Sequence, residues 1–410
     1  MLPDNREAIL DDLRLRMQRI LARSVLAPRR HPDASPPLSF ESRLGEYGPL
    51  YIREKSYSLL HHAGDMPIAS ARFADRDQLA HFALDPRIAG CDPARALYLD
   101  TETTGLSGGA GTLAFLVGIA FFCDNLGAFQ LEQLFLSDLA HERAMLEHLA
   151  ARLREASMIV TFNGKSFDMP LLRSRFVMAR MTPPKEPPHL DLLHIARRVH
   201  RARNVACRLG AIETNVLGFA RVDDVPSSEV SARFWSYMRT RRDDEILGVV
   251  EHNAWDVVSM AALVALYGDS LETTRLSVSD LVGVARTLSR AGMTERAIEV
   301  ATRAYVGGAG AKSLRARAEI FRTIGDRASA MADLEQFCAT VDDPNARLEL
   351  AKLYEHFAKS PKQALELIDR GTSESEEATK KRRARLIRLT SPASRERESV
   401  TKSREGEGKA

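Results

Sequence analysis

Acidic and apolar residues alternate at the end of a run that otherwise has the composition of a buried β-strand. Residues 97–105 read LYLDTETTG, so Asp100 and Glu102 are two positions apart. Residues i and i+2 of a strand share one face of a sheet. Two like charges crowded there are costly unless a cation compensates them. Hard carboxylate oxygens suit Mg²⁺ or Mn²⁺, and the pattern therefore predicts a divalent metal site.

Two later segments supply further acids and a base. Asp168 lies in TFNGKSFDMPLL, behind Asn163 and Phe167, and Asp256 lies in EHNAWDVVSMAALVAL, four residues after His252. Residues i and i+4 share a helix face, which puts the histidine beside the metal site. Its ordinary pKa near 6.5 suits a base at neutral pH. Four acids with one base match the needs of two-metal phosphodiester hydrolysis.

These motifs resemble those of the DEDD 3′–5′ exonucleases of the ribonuclease H-like superfamily. The chain is similar in particular to YprB-like proteins, in DTETTGLSGGAGTLAFLVG, HLDLLHIARR and RLGAIETNVLGF. The resemblance covers residues 41–270. It implies a metal-dependent nuclease that hydrolyses single-stranded or end-exposed nucleic acid, with 3′–5′ polarity. It also implies two Mg²⁺ or Mn²⁺ ions and a set of ligands, with the base position at His252: Asp100, Glu102, Asp168 and Asp256.

One spacing departs from the family pattern. In the DEDD enzymes with a tyrosine base, that residue precedes the last Asp by four positions, and in those with a histidine base by five. Here His252 precedes Asp256 by four. The assignment of the base is therefore weaker than that of the acids. Asn253 could equally be a residue that supports the site without touching the metal.

Substrate-binding residues are expected near these acids and on the most basic run of the α/β block. Arginines neutralise phosphates, although a solvated helix face has the same composition. Gly108 and Gly109 follow the metal-binding strand, but SGGAGT lacks the Lys-Ser/Thr of a P-loop and favours a plain connection. The expected set is Thr103, Gly105, Asn163, Phe167, Arg197, Arg198 and Arg201.

Other acids and bases have simpler alternatives. Asp168 could cap a helix, and His252 could be an ordinary core or surface histidine. Asp191, in HLDLLHIARR, is interpreted as structural rather than as a metal ligand. The basic stretch of residues 380–388, KKRRARLIR, either contacts nucleic acid or only aids solubility.

The pattern of elements predicts four regions. Residues 1–40 are expected to hold an amphipathic helix and a Pro-rich linker. Residues 41–270 are expected to form an α/β domain with a mixed sheet flanked by helices. In residues 277–370, Ala297, Ala330 and Ala364 recur every 33 or 34 positions, which predicts degenerate tetratricopeptide-like helical hairpins. Residues 371–410 are predicted to be a disordered basic tail.

Composition narrows the classes of protein to which this chain could belong. The chain has 410 residues, 44% hydrophobic and 28% charged, with a net charge of +3 that does not by itself indicate a nucleic-acid binder. Four scattered cysteines and the lack of a signal peptide or long apolar run favour a cytoplasmic protein with no membrane partner. The alternative to a nuclease is a nucleic-acid- or protein-binding scaffold, with a protein partner on the helical repeats.

Overall fold

The computed structural model describes residues 37, 39–105, 111–203 and 206–390. The predicted N-terminal helix and Gly108 and Gly109 of the SGGAGT loop lie outside these residues. Nine strands and the helices of the α/β region follow in chain order: β1 Glu41–Gly45, β2 Gly48–Ser58, β3 His62–Ala63, β4 Met66–Pro67, α1 Arg76–Ala83, β5 Ala96–Thr103, β6 Ala114–Cys123, β7 Ala128–Phe135, α2 Glu142–Glu155, β8 Met158–Thr161, α3 Asp168–Met178, β9 His189–Asp191, α4 Leu192–Val199, α5 Leu209–Ile212, α6 Val230–Thr240 and α7 Asp244–Tyr267.

Seven of these strands form one sheet in the order β1-β2-β7-β6-β5-β8-β9. β5 is antiparallel to β6 and parallel to β8, which is in turn parallel to β9. β5 is central, and its run of apolar residues is buried on both faces: Tyr98 faces the main core, whereas Leu97 and Leu99 face a second core. The predicted mixed sheet flanked by helices is confirmed.

Helices cover both faces of the sheet. α2 and α3 bury their apolar sides in the second core, whereas α7 packs against β5, β6 and β7 within the main core. By length and composition α7 could cross a bilayer, but 83% of its most apolar stretch is buried inside the protein, as is common for a core helix. β5 therefore lies between α7 on one face and α3 on the other.

The rest of the described chain is helical, in antiparallel pairs. The pairs α8–α9, α10–α11 and α12–α13 begin at Val278, Ala311 and Pro344, which gives a repeat of 33 residues. The helices are α8 Val278–Arg290, α9 Thr294–Ala304, α10 Ala311–Thr323, α11 Arg327–Thr340, α12 Pro344–His356, α13 Pro361–Asp369 and α14 Glu376–Thr390. Ala297, Ala330 and Ala364 are fully buried, as close helix packing requires. Their assignment to the tetratricopeptide type stays a prediction.

Two boundaries differ from the predicted ones. The main core continues past residue 277, because apolar residues of α8, α9 and α10 belong to it together with those of α7. The tail predicted to be disordered begins with α14, so that prediction is wrong for residues 376–390. Leu386 is fully buried, and Arg382 pairs with Glu355 and Glu374 at 2.6 Å. The tail has few apolar residues, and its composition therefore did not indicate that one leucine would anchor a helix.

Candidate metal centre and nucleic-acid groove

Asp100 and Glu102 project from the face of β5 that carries Tyr98, toward α7. Both follow from the period-two pattern of the strand. The strand ends beyond them at a bulge between Glu102 and Thr103, and the Thr103 hydroxyl donates to the Gly105 carbonyl at 3.0 Å. Thr103 and Gly105 thus shape the strand end.

Asp168 reaches the same strand end from the opposite side. It is the first residue of α3 and only 5% exposed. Thr101, which lies between the two acids on the other face of β5, donates its hydroxyl hydrogen to Asp168 Oδ1 at 2.5 Å. Asp168 does not cap its helix; the N-terminal residue Phe167 is half-buried and makes no side-chain cap. The acid is therefore held by Thr101 of the strand, and the backbone N–H of Asp168 itself adds a further hydrogen bond at the helix start.

Asp256 and His252 face the acids from α7. Ligand atoms of Glu102, His252 and Asp256 all lie within 4.8 Å of one another. The distance from His252 Nε2 to Asp256 Oδ2 is 3.7 Å, as the four-residue spacing on a helix predicts. Asp100 lies close enough for the charges of Asp256, Glu102 and Asp168 to act on it, so the four acids named from the sequence share one region. Of these acids, Glu102 and Asp256 are the two that the structure brings within 4.8 Å of each other and of His252.

Crowding and burial act together on these carboxyl groups. Burial, then the charges of Asp256, Glu102 and Asp168, raises the pKa of Asp100 well above its ordinary value. Burial and Asp256 raise the pKa of Glu102 to about 8. Burial likewise raises the pKa of Asp168 to about 6, against the Thr101 hydrogen bond. A divalent cation removes this repulsion, and the all-oxygen carboxylate set fits Mg²⁺ or Mn²⁺.

His252 is held on its far side by Asp224. The distance from His252 Nδ1 to Asp224 Oδ1 is 2.7 Å, and Arg221 Nη1 lies 3.3 Å from the same nitrogen. Both partners lie on the Nδ1 side of the ring, whereas Nε2 lies 3.7 Å from Asp256. Burial lowers the pKa of His252, but the charges of Asp256 and Glu102 and the bond to Asp224 outweigh it, and the pKa lies above its ordinary value. The residue is 8% exposed.

Arg221 is a member of this site that the sequence did not predict. Its guanidinium makes a bidentate pair with Glu213 at 2.6 and 2.8 Å and also donates to Asp256. It lies 3.4 Å from Asp224. The same loop therefore supplies a cation to Asp256 and a carboxylate to His252. The motif RLGAIETNVLGF contains Glu213 and ends two residues before Arg221, but nothing local marks a loop arginine as buried.

An open groove of about 580 Å³ leads to Asp256 and His252. Three arginines line it: Arg197, Arg208 and Arg221. Asn163, with its backbone in the left-handed region at φ 74°, lines the opposite part. Its N–H and that of Lys165 donate to Asp191, at 2.8 and 3.0 Å. Asp191 thus fixes the loop that forms the groove wall, in agreement with the structural role predicted for it.

The predicted basic run divides between different surfaces. Of its three proposed substrate-binding residues, Arg197 lines the groove. Arg198 instead donates to the Phe82 carbonyl at 2.7 Å, so the prediction places it on the wrong face. Arg201 is exposed on the following turn and is not among the groove residues. Successive residues of a helix point in different directions, and a basic run therefore cannot serve one surface throughout.

Comparison with known proteins agrees with this geometry. Residues 97–267, which include every acid of the cluster, match the model of the RNase_H superfamily. The chain therefore contains a ribonuclease H superfamily domain. Over 356 residues it is 27% identical to the uncharacterized protein YprB of Bacillus subtilis (strain 168), and the match covers 82% of this chain and 85% of that protein. The similarity extends beyond the ribonuclease H-like part, into the helical pairs.

Proposed function

We propose that this protein is a metal-dependent nuclease that hydrolyses phosphodiester bonds in single-stranded or end-exposed nucleic acid. The observation that carries the proposal is the cluster of Glu102, Asp256 and His252, whose ligand atoms lie within 4.8 Å of one another at the end of an arginine-lined groove. Asp100 and Asp168 lie beside this cluster, and the charges of Asp256, Glu102 and Asp168 act on Asp100. Such a cluster is unfavourable without a cation, since burial, and after it the charges of neighbouring carboxylates, raises the pKa values of Asp100 and Glu102.

Asp100, Glu102, Asp168 and Asp256 would hold Mg²⁺ or Mn²⁺, which when bound stabilises charge on the attacking and leaving oxygens. His252 presents Nε2 toward these acids, with Nδ1–H held by Asp224, and accepts the proton of the attacking water. Arg197 and Arg208 neutralise the phosphates of the bound strand. The His252–Asp224 pair fixes the tautomer that general-base catalysis requires.

The size of the groove favours a strand over a duplex. A volume of about 580 Å³ lies in the range of sites that enclose a small molecule, which suits one or two nucleotides. A 3′–5′ exonuclease is the activity we propose, in line with the resemblance of the acid motifs to that group. The strand would enter along the arginines and end at the acids.

The test is a cleavage assay of the purified protein with Mg²⁺, Mn²⁺ or chelator. Linear 5′-labelled strands are compared with circular ones, for DNA and RNA. We expect metal-dependent shortening of linear strands that Asp100→Asn abolishes, because a ligand of the site is lost. Asp244→Asn, at an exposed acid on the same helix as Asp256, is the matched control and should cleave normally. Cleavage of circles would contradict the exonuclease assignment.

A binding scaffold is the second candidate. The helices from Ala311 onward bury most of their apolar residues in a core separate from the main one, although Ala316 and Ile320 belong to the main core, and a protein partner could bind their outer faces. This function predicts no metal-dependent cleavage of any strand, together with an interaction that Asp100→Asn leaves unchanged. Cleavage lost in Asp100→Asn would exclude it as the sole function.

A further inference from the structure

We infer that Asn253 is a positioning residue for Asp100, and that position 118 is a glycine because Asn253 needs the space to reach it. The inference rests on the proposed function, in which Asp100 is a metal ligand. Asn253 lies on α7 between His252 and the turn of Asp256, and it is fully buried. Its side chain points across the sheet rather than into the groove.

The register of three strands creates the contact. Asp100 on β5 pairs with Gly118 on β6, and Gly118 pairs with Gln133 on β7. The three residues therefore form one row across the sheet, beneath α7. The row has an acid at one end, an amide at the other and no side chain between them. Asn253 occupies the space above the glycine.

Hydrogen bonds fix which way the Asn253 amide points. Gln133 Nε2 donates to the Val250 carbonyl at 2.7 Å and to Asn253 Oδ1 at 2.9 Å. Because Oδ1 already accepts, Nδ2 is the group that faces Asp100, to which it donates at 2.8 Å on Oδ2. A flipped amide would bring donor to donor at Gln133 and acceptor to acceptor at Asp100. The network thus presents an N–H donor, and only a donor, to the carboxylate.

Arg53 on β2 pairs with Gln133 and extends the row by one strand. Its guanidinium donates to Gln133 Oε1 at 3.0 Å and to Glu251 at 2.6 Å. Gln133 is fully buried, and both its amide nitrogen and its amide oxygen have partners. The chain of contacts from Arg53 through Gln133 and Asn253 to Asp100 is unbroken, and it determines the orientation of every amide in it.

Glycine is the only residue type that this arrangement accepts at position 118. A Cβ at this position would lie 2.2 Å from Asn253 Oδ1 and 2.9 Å from Nδ2. A methyl group there would displace the amide from Asp100. The requirement is one of space, since the close approach to the asparagine, and not a turn, excludes a side chain.

The consequence is a preorganised ligand. An N–H fixed on Oδ2 restrains the rotation of the Asp100 carboxylate and favours its charged form. Partners behind metal ligands typically contribute 10–100-fold to metal affinity or activity. We therefore expect Asn253→Ala to weaken Mn²⁺ binding by about 10–100-fold. Gln133 Nε2 keeps the Val250 carbonyl as its acceptor, so we expect the fold to persist.

The experiment measures three quantities on the full chain: the Mn²⁺ dissociation constant by calorimetry, kcat and KM for a linear strand, and Tm. For Asn253→Ala we expect weaker Mn²⁺ binding and a lower kcat at subsaturating metal, with KM for the strand unchanged. Asn345→Ala, at an exposed helix start, is the matched control. Wild-type Mn²⁺ affinity and rate in Asn253→Ala would overturn the inference.

A second variant separates positioning from packing. Gly118→Ala should reproduce the loss seen in Asn253→Ala, since the new methyl displaces the amide. Added to Asn253→Ala, the same glycine substitution should cause no further loss, because the atoms it would meet are gone. Losses that add in the double variant would overturn the coupling of the two residues.

The readouts also distinguish this inference from the proposed function. A wild-type protein that binds Mn²⁺ but cleaves no strand would refute the nuclease, and the Mn²⁺ affinities of the variants would still decide the role of Asn253. A protein that cleaves, with Asn253→Ala equal to wild type, would refute the positioning role alone. A wild-type protein that binds no Mn²⁺ would refute both.

Discussion

Two histidine–aspartate pairs of this protein differ in what the second ring nitrogen meets, and one of them, His200–Asp280, is fully buried, whereas the aspartate of the other, Asp224, is exposed. The helix α8 packs against α4 and the turn His200–Arg203 that follows it, and this contact is the joint between the α/β region and the helical pairs. At the joint, His200 Nδ1 is 2.8 Å from Asp280 and Nε2 is 2.9 Å from the Tyr267 hydroxyl. At the metal centre, His252 Nδ1 is 2.7 Å from Asp224, but Nε2 faces the acids across 3.7 Å.

The difference is the one expected between a structural pair and the pair that we propose takes part in catalysis. At the joint both ring nitrogens have neutral or oppositely charged partners at hydrogen-bond distance, and Asp280 also accepts from Ser277 and Arg203. At the metal centre, Nδ1 of His252 has Asp224 at hydrogen-bond distance, whereas Nε2 has Asp256 at 3.7 Å, beyond that distance. A histidine whose Nε2 meets carboxylates at the end of a groove is available for proton transfer. Burial and an aspartate partner alone do not identify a catalytic histidine.

Among the changes considered, removal of the helices that form the joint should affect the stability of the fold most. A chain ending at Ser270 lacks the apolar residues of α8–α10 that complete the main core, and we expect it to aggregate because large apolar surfaces become exposed. A chain ending at Thr340 keeps that part of the core and should stay folded, with a lower Tm. The measurement is size-exclusion chromatography with thermal unfolding. A monomeric, cooperative product from the shorter chain would show that the joint is dispensable.

Substitution of the two histidines should have opposite effects. His252→Gln is expected to lower kcat by about 10²–10⁴-fold, since it removes a general base, and to change Tm little. His200→Gln should leave kcat nearly unchanged at 25 °C but destabilise the fold by about 3–5 kcal/mol, as expected when a buried charge loses its partner. Rate and urea unfolding are measured on both variants. An equal loss of activity in both variants would contradict the conclusion that only His252 takes part in catalysis.

The two regions should also respond to pH with opposite signs. Burial and Asp256 raise the pKa of Glu102 to about 8, so without metal its contribution to stability is complete below pH 4.5 and is lost as the pH rises toward 8. For Asp280, burial acts upward but His200 and Ser277 outweigh it, and the pKa is lowered. Its contribution is present above pH 3.8 and is lost below that value.

The measurement is Tm against pH, in chelator and in Mg²⁺. In chelator we expect Tm to fall by several degrees between pH 6 and 9, at roughly 2–4 °C per kcal/mol. Metal should remove most of this fall, because it compensates the carboxylates. Glu102→Gln serves as the matched control and should flatten the curve in chelator. A chelator curve that is flat in the wild type would contradict the crowding of the acids.

The smallest expected effect is on the binding of a nucleic-acid strand, and it concerns two neighbouring arginines. Arg197 lines the groove, whereas Arg198 binds the Phe82 carbonyl. Arg197→Ala should weaken strand binding and reduce the slope of log Kd against log salt by about one, the amount expected for one phosphate contact. Arg198→Ala is the control and should leave the slope unchanged. Fluorescence anisotropy at several salt concentrations gives both slopes, and identical slopes would remove Arg197 from the groove's function.

Local patterns carry the part of the site that the sequence could predict. Asp100 and Glu102 share a face because strands have period two, and His252 and Asp256 because helices bring i and i+4 together. Arg221 and Asp224 could not be predicted, since a loop reaches them by a path that no period describes. Likewise, Gln133, Gly118 and Asn253 meet only through strand register, which depends on pairing across distant segments.

The same distinction holds for the fold. The alternation of strands and helices predicted the mixed sheet, and the recurring alanines predicted helix pairs 33 residues apart. The composition of the tail, with few apolar residues, concealed α14, because one buried leucine and paired arginines suffice to dock a helix on an existing core. The joint was missed for a similar reason, since the buried partners of His200 come from two other helices.

One feature of α7 limits how this chain can change in evolution. The helix carries His252, Asn253 and Asp256 near its middle and Tyr267 at its end. Each residue added to or removed from a helix rotates all the later residues by about 100°. A single insertion between Asp256 and Tyr267 would turn the tyrosine away from His200 while the acids stay in place. Relatives should therefore vary in the loops before and after this helix, but not in the number of residues between Asp256 and Tyr267.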